Sequence, residues 1–138
     1  MANFCFDLNN IDILAKKIFE PYIGLPSIFF INGPMGVGKT TLVNSILRHF
    51  SNVTPNSSSY GIVNTYSLNP PILHCDFFRT GWNEEIFETD VLPLLLGNFS
   101  LYMEWVDPFI LSDISLSISV NLSFTSDLKR EIEVFKLS

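Results

Sequence analysis

SIFFINGPMGVGKTTLVNSILRHF, Ser27 to Phe50, is the stretch that decides the fold. It opens with Ser27-Ile28-Phe29-Phe30-Ile31, a continuous apolar run bounded by Pro26 and Gly33. A run of this length and composition suits a parallel strand buried on both faces better than a short helix. It closes with Leu42, Val43, Ile46, Leu47 and Phe50 at helical intervals, which predicts a helix from about Lys39 to Phe50 with one buried face. Between the two lies GPMGVGKT, Gly33 to Thr40, a match to the pattern G-x-x-x-x-G-K-[ST]. Strand, glycine turn and helix in that order form the unit that phosphate binding requires.

The chemistry of that unit explains its residues. With Gly36 and Gly38 in place, no side chain blocks successive N–H groups from curling round phosphates, while the positive end of the following helix attracts them. Contacts to ATP are therefore expected along Gly33, Met35, Gly36, Val37, Gly38, Lys39, Thr40 and Thr41. Lys39 is placed to bridge the outer phosphates, and the Thr40 hydroxyl to hold Mg2+. Hydrolysis also needs an acid for the metal shell and a polar group to orient water. Two acids stand at the ends of predicted strands, Asp76 after Ile72 to Cys75 and Glu104 after Leu101 to Met103. Spacing does not decide which of them meets the metal. Ser57-Ser58-Ser59 lies in the loop after the P-loop helix, where switch residues contact the terminal phosphate, and Ser59 is the candidate. His74 reads as a structural histidine, and Arg79 as paired to an acid.

Outward from this centre, Ile11, Leu14, Ala15 and Ile18 predict a first helix, capped by Asn10 and closed by Pro21. Ile62 to Tyr66, Pro71 to Asp76 and Leu101 to Trp105 read as strands. Glu84 to Leu96 is helical early but interrupted by Pro93. Ile114 to Phe124 alternates strictly between apolar residues and Ser or Asn, predicting a strand with one solvated face. Glu131 to Leu137 then returns as the second arm of a hairpin. The expected architecture is α/β, a single small P-loop NTPase domain over residues 1–138, with a mixed sheet of parallel core, a C-terminal antiparallel hairpin and helices on both faces.

Composition bounds the partners. The chain has 138 residues, 47% of them hydrophobic, which suffices for one core. Eight Lys+Arg against fourteen Asp+Glu give a net charge of -6, so unaided nucleic-acid binding by this chain is not expected. Charged residues make up only 16%, which favours an apolar face and a protein partner. Cys5 and Cys75 show no metal or disulfide spacing, and the start MANFCFDLNN lacks a secretory pattern. Neither that start nor any apolar run is suited to a membrane, so a cytoplasmic protein is expected.

Taken in order, GPMGVGKT, SSSYGIVNTY, HCDFFR and MEW resemble the TsaE family, the bacterial ATPase of tRNA threonylcarbamoyladenosine biosynthesis. These segments resemble its P-loop, its switch, its His-x-Asp-x-Tyr-Arg element and its Glu-Trp element, and they span Gly33 to Trp105. The resemblance implies that Lys39 and Thr40 handle phosphate and magnesium, that Glu104 joins the metal shell, that Asp76 is catalytic and that Ser59 replaces the switch threonine. It also implies partner proteins, a threonylcarbamoyl-transferase complex, that carry out the transfer to tRNA. Ser58 and Val106 stand where the family has proline, Pro34 where it has Asp and Phe78 where it has Tyr; no copy of its glutamate and glycine-leucine element is evident in Glu88 to Leu92. Nucleotide binding is expected to survive these departures. The rival readings are a small-molecule kinase, which a chain so poor in cations is badly equipped to be, and a nucleotide-gated adaptor without turnover. A GTPase is disfavoured by the lack of an Asn-Lys-x-Asp segment.

Overall fold

The computed structural model describes residues 2–50, 56–57, 61–68, 70–111, 115–126 and 129–137. At its centre is β2, Ser27–Asn32, in which every residue from Ser27 to Ile31 is buried. Its neighbours are β6, Ser100–Glu104, and β7, Leu116–Phe124, both parallel to it. β5, Pro71–Asp76, adds a further parallel strand beside β6. Antiparallel strands close both sides: β8, Arg130–Lys136, and β1, Ala2–Phe6, beyond β7; β4, Val63–Leu68, and the short β3, Asn56–Ser57, beyond β5. The order across the eight strands is β1-β8-β7-β2-β6-β5-β4-β3. This is the mixed sheet with parallel core and C-terminal hairpin expected of a P-loop NTPase domain.

Two-residue alternation along β2 divides the core between the faces of the sheet. Phe29 and Ile31 face α1, Ile11–Phe19, and α2, Lys39–Phe50, in a cluster that includes Ala15, Phe19, Leu42 and Ile46. Rings fill this side, with Phe29 stacked on Tyr102 at 4.9 Å and Phe19 edge-on to Phe29 at 5.1 Å. Ile28 and Phe30 face the opposite cluster, with Leu101, Met103, Phe87, Val91 and Leu95. The element on that side starts as a short α-turn, α3, Glu84–Ile86, continues as a π turn over Phe87–Val91 and ends as a 3-10 turn holding Pro93. Pro93 lacks the N–H that an α-helix would use there, which accounts for the interruption.

Two expectations need correction. Asn10 holds the N-cap position of α1, but its side chain makes no cap hydrogen bond: its Oδ1 accepts from the Asp7 N–H at 3.0 Å, while Asp7 Oδ1 accepts from the N–H groups of Asn9 and Asn10. The oxygen is used in the turn before the helix. The serine face of β7 is solvated only toward its end, because Ser117 and Ser119 are buried while Ser123 is exposed. The two buried serines sit in register with Ile28 and Phe30, and the Phe30–Phe109 contact at 5.0 Å brings the 105–111 loop over that face. Small side chains make room there for rings. Residues 2–6 add an edge strand beside β8 for which the sequence analysis offers no expectation.

α1 and α2 are joined at their exposed edge through the Asp12 carboxylate, which accepts from the Ser45 hydroxyl and from Arg48 at 2.7 Å. The Ser45 hydrogen bond, then Arg48, hold the Asp12 carboxyl below its ordinary value of 3.8. A depressed carboxylate contributes stability above its unfolded pKa and loses it as pH falls through the folded one. The melting temperature of Asp12→Asn is therefore expected to lie slightly below wild type at pH 7, with a gap that closes as both proteins are acidified below 3.8. A gap independent of pH would contradict this.

Candidate functional site

The site lies at the carboxyl edge of the parallel strands, where β2 turns into α2. Leaving the sheet requires backbone that few residues adopt: φ is +152° at Gly33, +81° at Gly36 and +114° at Gly38. At Gly33 a Cβ would stand 2.6 Å from the Leu122 carbonyl oxygen, and at Gly38 one would meet Leu8 at 3.0 Å. Gly33 is needed for both shape and space, and Gly38 chiefly for shape, since the tip of the exposed Leu8 side chain can give way. The Gly38 carbonyl accepts from the Leu42 N–H at 2.8 Å, so the α2 ladder begins at the end of the loop. The first turn of that helix holds no acidic residue of its own, and the acids at its positive end, Glu104 and Asp76, come from neighbouring strands.

A cleft of about 300 Å³ opens over this turn, lined by Met35, Gly36, Gly38, Lys39, Thr40, Thr41, Asp76 and Glu104, with Leu8, Phe78 and Trp105 on its apolar side. Gly33 and Val37 are not part of that wall. Gly33 packs on β7, and the Val37 side chain is fully buried in the core, leaving its peptide group as its link to the loop.

Thr40, Asp76 and Glu104 present polar groups to the cleft, and His74 supports Glu104 from behind its wall. Glu104, at the end of β6, is 1% exposed. The Thr40 hydroxyl lies 3.2 and 3.3 Å from its two carboxylate oxygens and donates to them. From the other side His74 Nε2 lies 2.5 Å from Oε2, where the ring N–H donates. A buried carboxylate needs such partners, because leaving it bare would cost several kcal/mol. His74 thus has a definite task as the side chain that orients Glu104. Asp76 stands in register beside Glu104 on the neighbouring strand, and its Oδ1 accepts from the Phe78 N–H at 2.9 Å.

Lys39 is buried, and its ammonium donates to the carbonyls of Gly33 and, at 3.2 Å, Pro34. It also sits 4.0 Å above the Trp105 ring. Burial lowers the Lys39 pKa, and the negative charges of Glu104 and Asp76 pull it back up. Trp105 itself has φ of +62°, a conformation that costs a non-glycine residue about 1 to 3 kcal/mol. That turn lets the chain reverse directly after Glu104, with the indole lying across the lysine and 4.8 Å from Phe78.

The structure brings together Lys39, Thr40, Asp76 and Glu104 from four places in the sequence, with Met35, Gly36, Gly38 and Thr41 on the same wall. Ser59 lies outside the described residues. Arg79 is exposed and, among the described residues, forms no ion pair, so its expected pairing is not found. Cys75 is enclosed, burial pushes its thiol up to about 12, and it is no nucleophile. Sequence reasoning missed Trp105 as a neighbour of Lys39 and Arg130 as a neighbour of the loop; its Nε donates to the Val37 carbonyl at 3.0 Å. The basic residue opening an otherwise alternating strand was the only signal for the latter.

Hard oxygen donors suit Mg2+, and the Thr40 hydroxyl facing both oxygens of Glu104 offers a donor set of that kind. Among the described residues no group of three or more His, Cys, Asp or Glu could hold a metal by itself. A cation here would be shared with phosphate oxygens and water, as Mg2+ commonly is.

Comparison with known proteins bears on the fold and the family. Over its full fold the chain is similar to the crystal structure of Bacillus subtilis YdiB, with a TM-score of 0.64 across 98% of this chain and 84% of that one, at 16% identity. In sequence it is 32% identical over 117 residues to the tRNA threonylcarbamoyladenosine biosynthesis protein TsaE of Rickettsia bellii, covering 83% of this chain and 81% of the relative. The protein of the same name from Rickettsia typhi is 30% identical over 123 residues, covering 87% and 85%. Residues 7–132 match the family described as threonylcarbamoyl adenosine biosynthesis protein TsaE, and the chain belongs to that family.

Proposed function

We propose that the chain is a single-domain P-loop ATPase that binds Mg-ATP in the cleft above α2 and supports threonylcarbamoyladenosine modification of tRNA. The observation that carries this reading is the meeting of the Thr40 hydroxyl with both oxygens of a buried Glu104, beside a buried Lys39. In this reading the amides of Gly36, Gly38, Thr40 and Thr41 receive the phosphates, and Lys39 exchanges its loop carbonyls and the Trp105 face for phosphate oxygens. When bound, Mg2+ neutralises charge on the terminal phosphates. Thr40 and Glu104 hold its shell, His74 keeps Glu104 turned toward it, and Asp76 orients the attacking water with Ser59 as the switch hydroxyl.

Support for protein partners comes from the rim of the cleft. Met35 is 66% exposed, Phe78 50% and Trp105 38%, so apolar side chains face outward beside the phosphate site. With a net charge of -6, the chain is suited to act on tRNA through a threonylcarbamoyl-transferase complex rather than to bind RNA itself. Such a role belongs in the cytoplasm. Among the described residues no helix is long and apolar enough to cross a membrane.

Phosphate release from Mg-ATP, measured with and without the partner transferase proteins, tests the proposal. Turnover is expected alone and to rise with partners. Lys39→Ala should weaken ATP binding by roughly tenfold to a hundredfold, the worth of a charge-assisted contact. Glu104→Gln and Asp76→Asn should spare binding more than turnover, which is expected to fall by about 10² or more. Unchanged turnover in either acid variant would remove that residue from the mechanism, and strict dependence on an acceptor molecule would favour a kinase.

A further inference from the structure

Arg130 opens β8 and stands outside the wall of the cleft, yet it is tied to the phosphate loop. Its Nε donates to the Val37 carbonyl at 3.0 Å, and Nη2 reaches the Gly36 carbonyl at 3.5 Å. Phe124, its cross-strand partner on β7, lies 5.1 Å from the guanidinium and steadies it from one side. Two residues earlier on β7, the Leu122 carbonyl closes against Gly33. The β7–β8 hairpin therefore grips the loop at its start and in its middle.

The peptide unit is planar, with its C=O and N–H pointing in opposite directions. A donor bound to the Val37 oxygen thus fixes the direction of the Gly38 N–H, since the two belong to one plane. The longer contact bears in the same way on the Val37 N–H, which is otherwise drawn to the Pro34 carbonyl at 3.3 Å. Gly38, with φ of +114° and no side chain, has little else to hold its peptide in one orientation.

We propose that Arg130 is a positioning residue of the nucleotide site, which pulls the Val37 carbonyl outward and so keeps the Gly38 N–H turned toward the phosphates. The inference rests on the reading that this loop binds a triphosphate. It makes the C-terminal hairpin part of the binding machinery. Its effect falls on phosphate affinity, because the same amide direction serves ground state and transition state alike.

The test compares wild type with Arg130→Met, which keeps the apolar stem but loses every donor, and Arg130→Lys, which keeps charge without the guanidinium fork. Mg-ATP and Mg-ADP affinities are measured by calorimetry, alongside melting temperature, kcat and KM. Arg130→Met is expected to bind both nucleotides roughly tenfold or more weakly, the effect of losing a charged hydrogen bond, with KM raised and kcat nearly kept. Arg130→Lys should lose several-fold in affinity while melting as wild type does; it carries the test if the methionine variant fails to fold. Wild-type affinity in every folded variant overturns the proposal, as does a fall in melting temperature with KM unmoved. Absence of nucleotide binding by the wild-type chain would overturn the underlying reading and this inference with it.

Discussion

The peptide groups between Asn32 and Lys39 must carry the chain from a strand buried on both faces into a helix packed on one of them. In doing so they leave the sheet ladder before the helix ladder begins at the Gly38 carbonyl. Backbone donors outside both ladders need partners, and a turn that gathers several of them on its concave side is a binding site for an anion. The rest of the molecule follows from supporting this turn. β7 presses on Gly33, Leu8 on Gly38 and Arg130 on the Val37 carbonyl, so that three separate parts of the chain fix one short loop.

Charge in the cleft is arranged by burial and by neighbours. Glu104 and Lys39 are both nearly inaccessible, and each is saturated with partners: Thr40 and His74 on the acid, two carbonyls and an indole face on the lysine. Glu104 is thereby held in place before any ligand arrives, whereas Lys39 rests on partners that it would exchange for phosphate oxygens. Asp76 differs in being half-buried at the end of β5, with its carboxylate engaged by a neighbouring backbone N–H. Two adjacent acids on parallel strands thus meet different surroundings, which suits a division between metal holding and water orientation.

Much of this was legible in the sequence because its strongest patterns come from burial. The apolar run at Ile28 to Ile31 and the helical spacing of Leu42, Val43, Ile46 and Leu47 placed the loop between β2 and α2. The strand-end acids Asp76 and Glu104 were found because a strand's end is where its side chains reach the ligand edge. What failed depended on tertiary packing. Ser117 and Ser119 look solvent-facing in an alternating pattern, but small polar side chains also fit beneath a crossing loop. Asn10 resembles a cap until Asp7 supplies the turn that claims its oxygen. Arg130 and Trp105 act on backbone and on a distant ammonium, relations that leave no fixed spacing in sequence. The π turn at Phe87–Val91 likewise has no periodic signature, since it is neither helix nor strand over more than one turn.

In the proposed function this loop, with one lysine and one threonine, closes round the phosphates of an adenine nucleotide with magnesium. Calorimetric titration of the folded chain with ATP, with Mg2+ present and then removed by chelation, reads this directly. One site per chain is expected, with an affinity that falls when the metal is withdrawn. Heat of dilution alone from ATP in the presence of Mg2+ would contradict it.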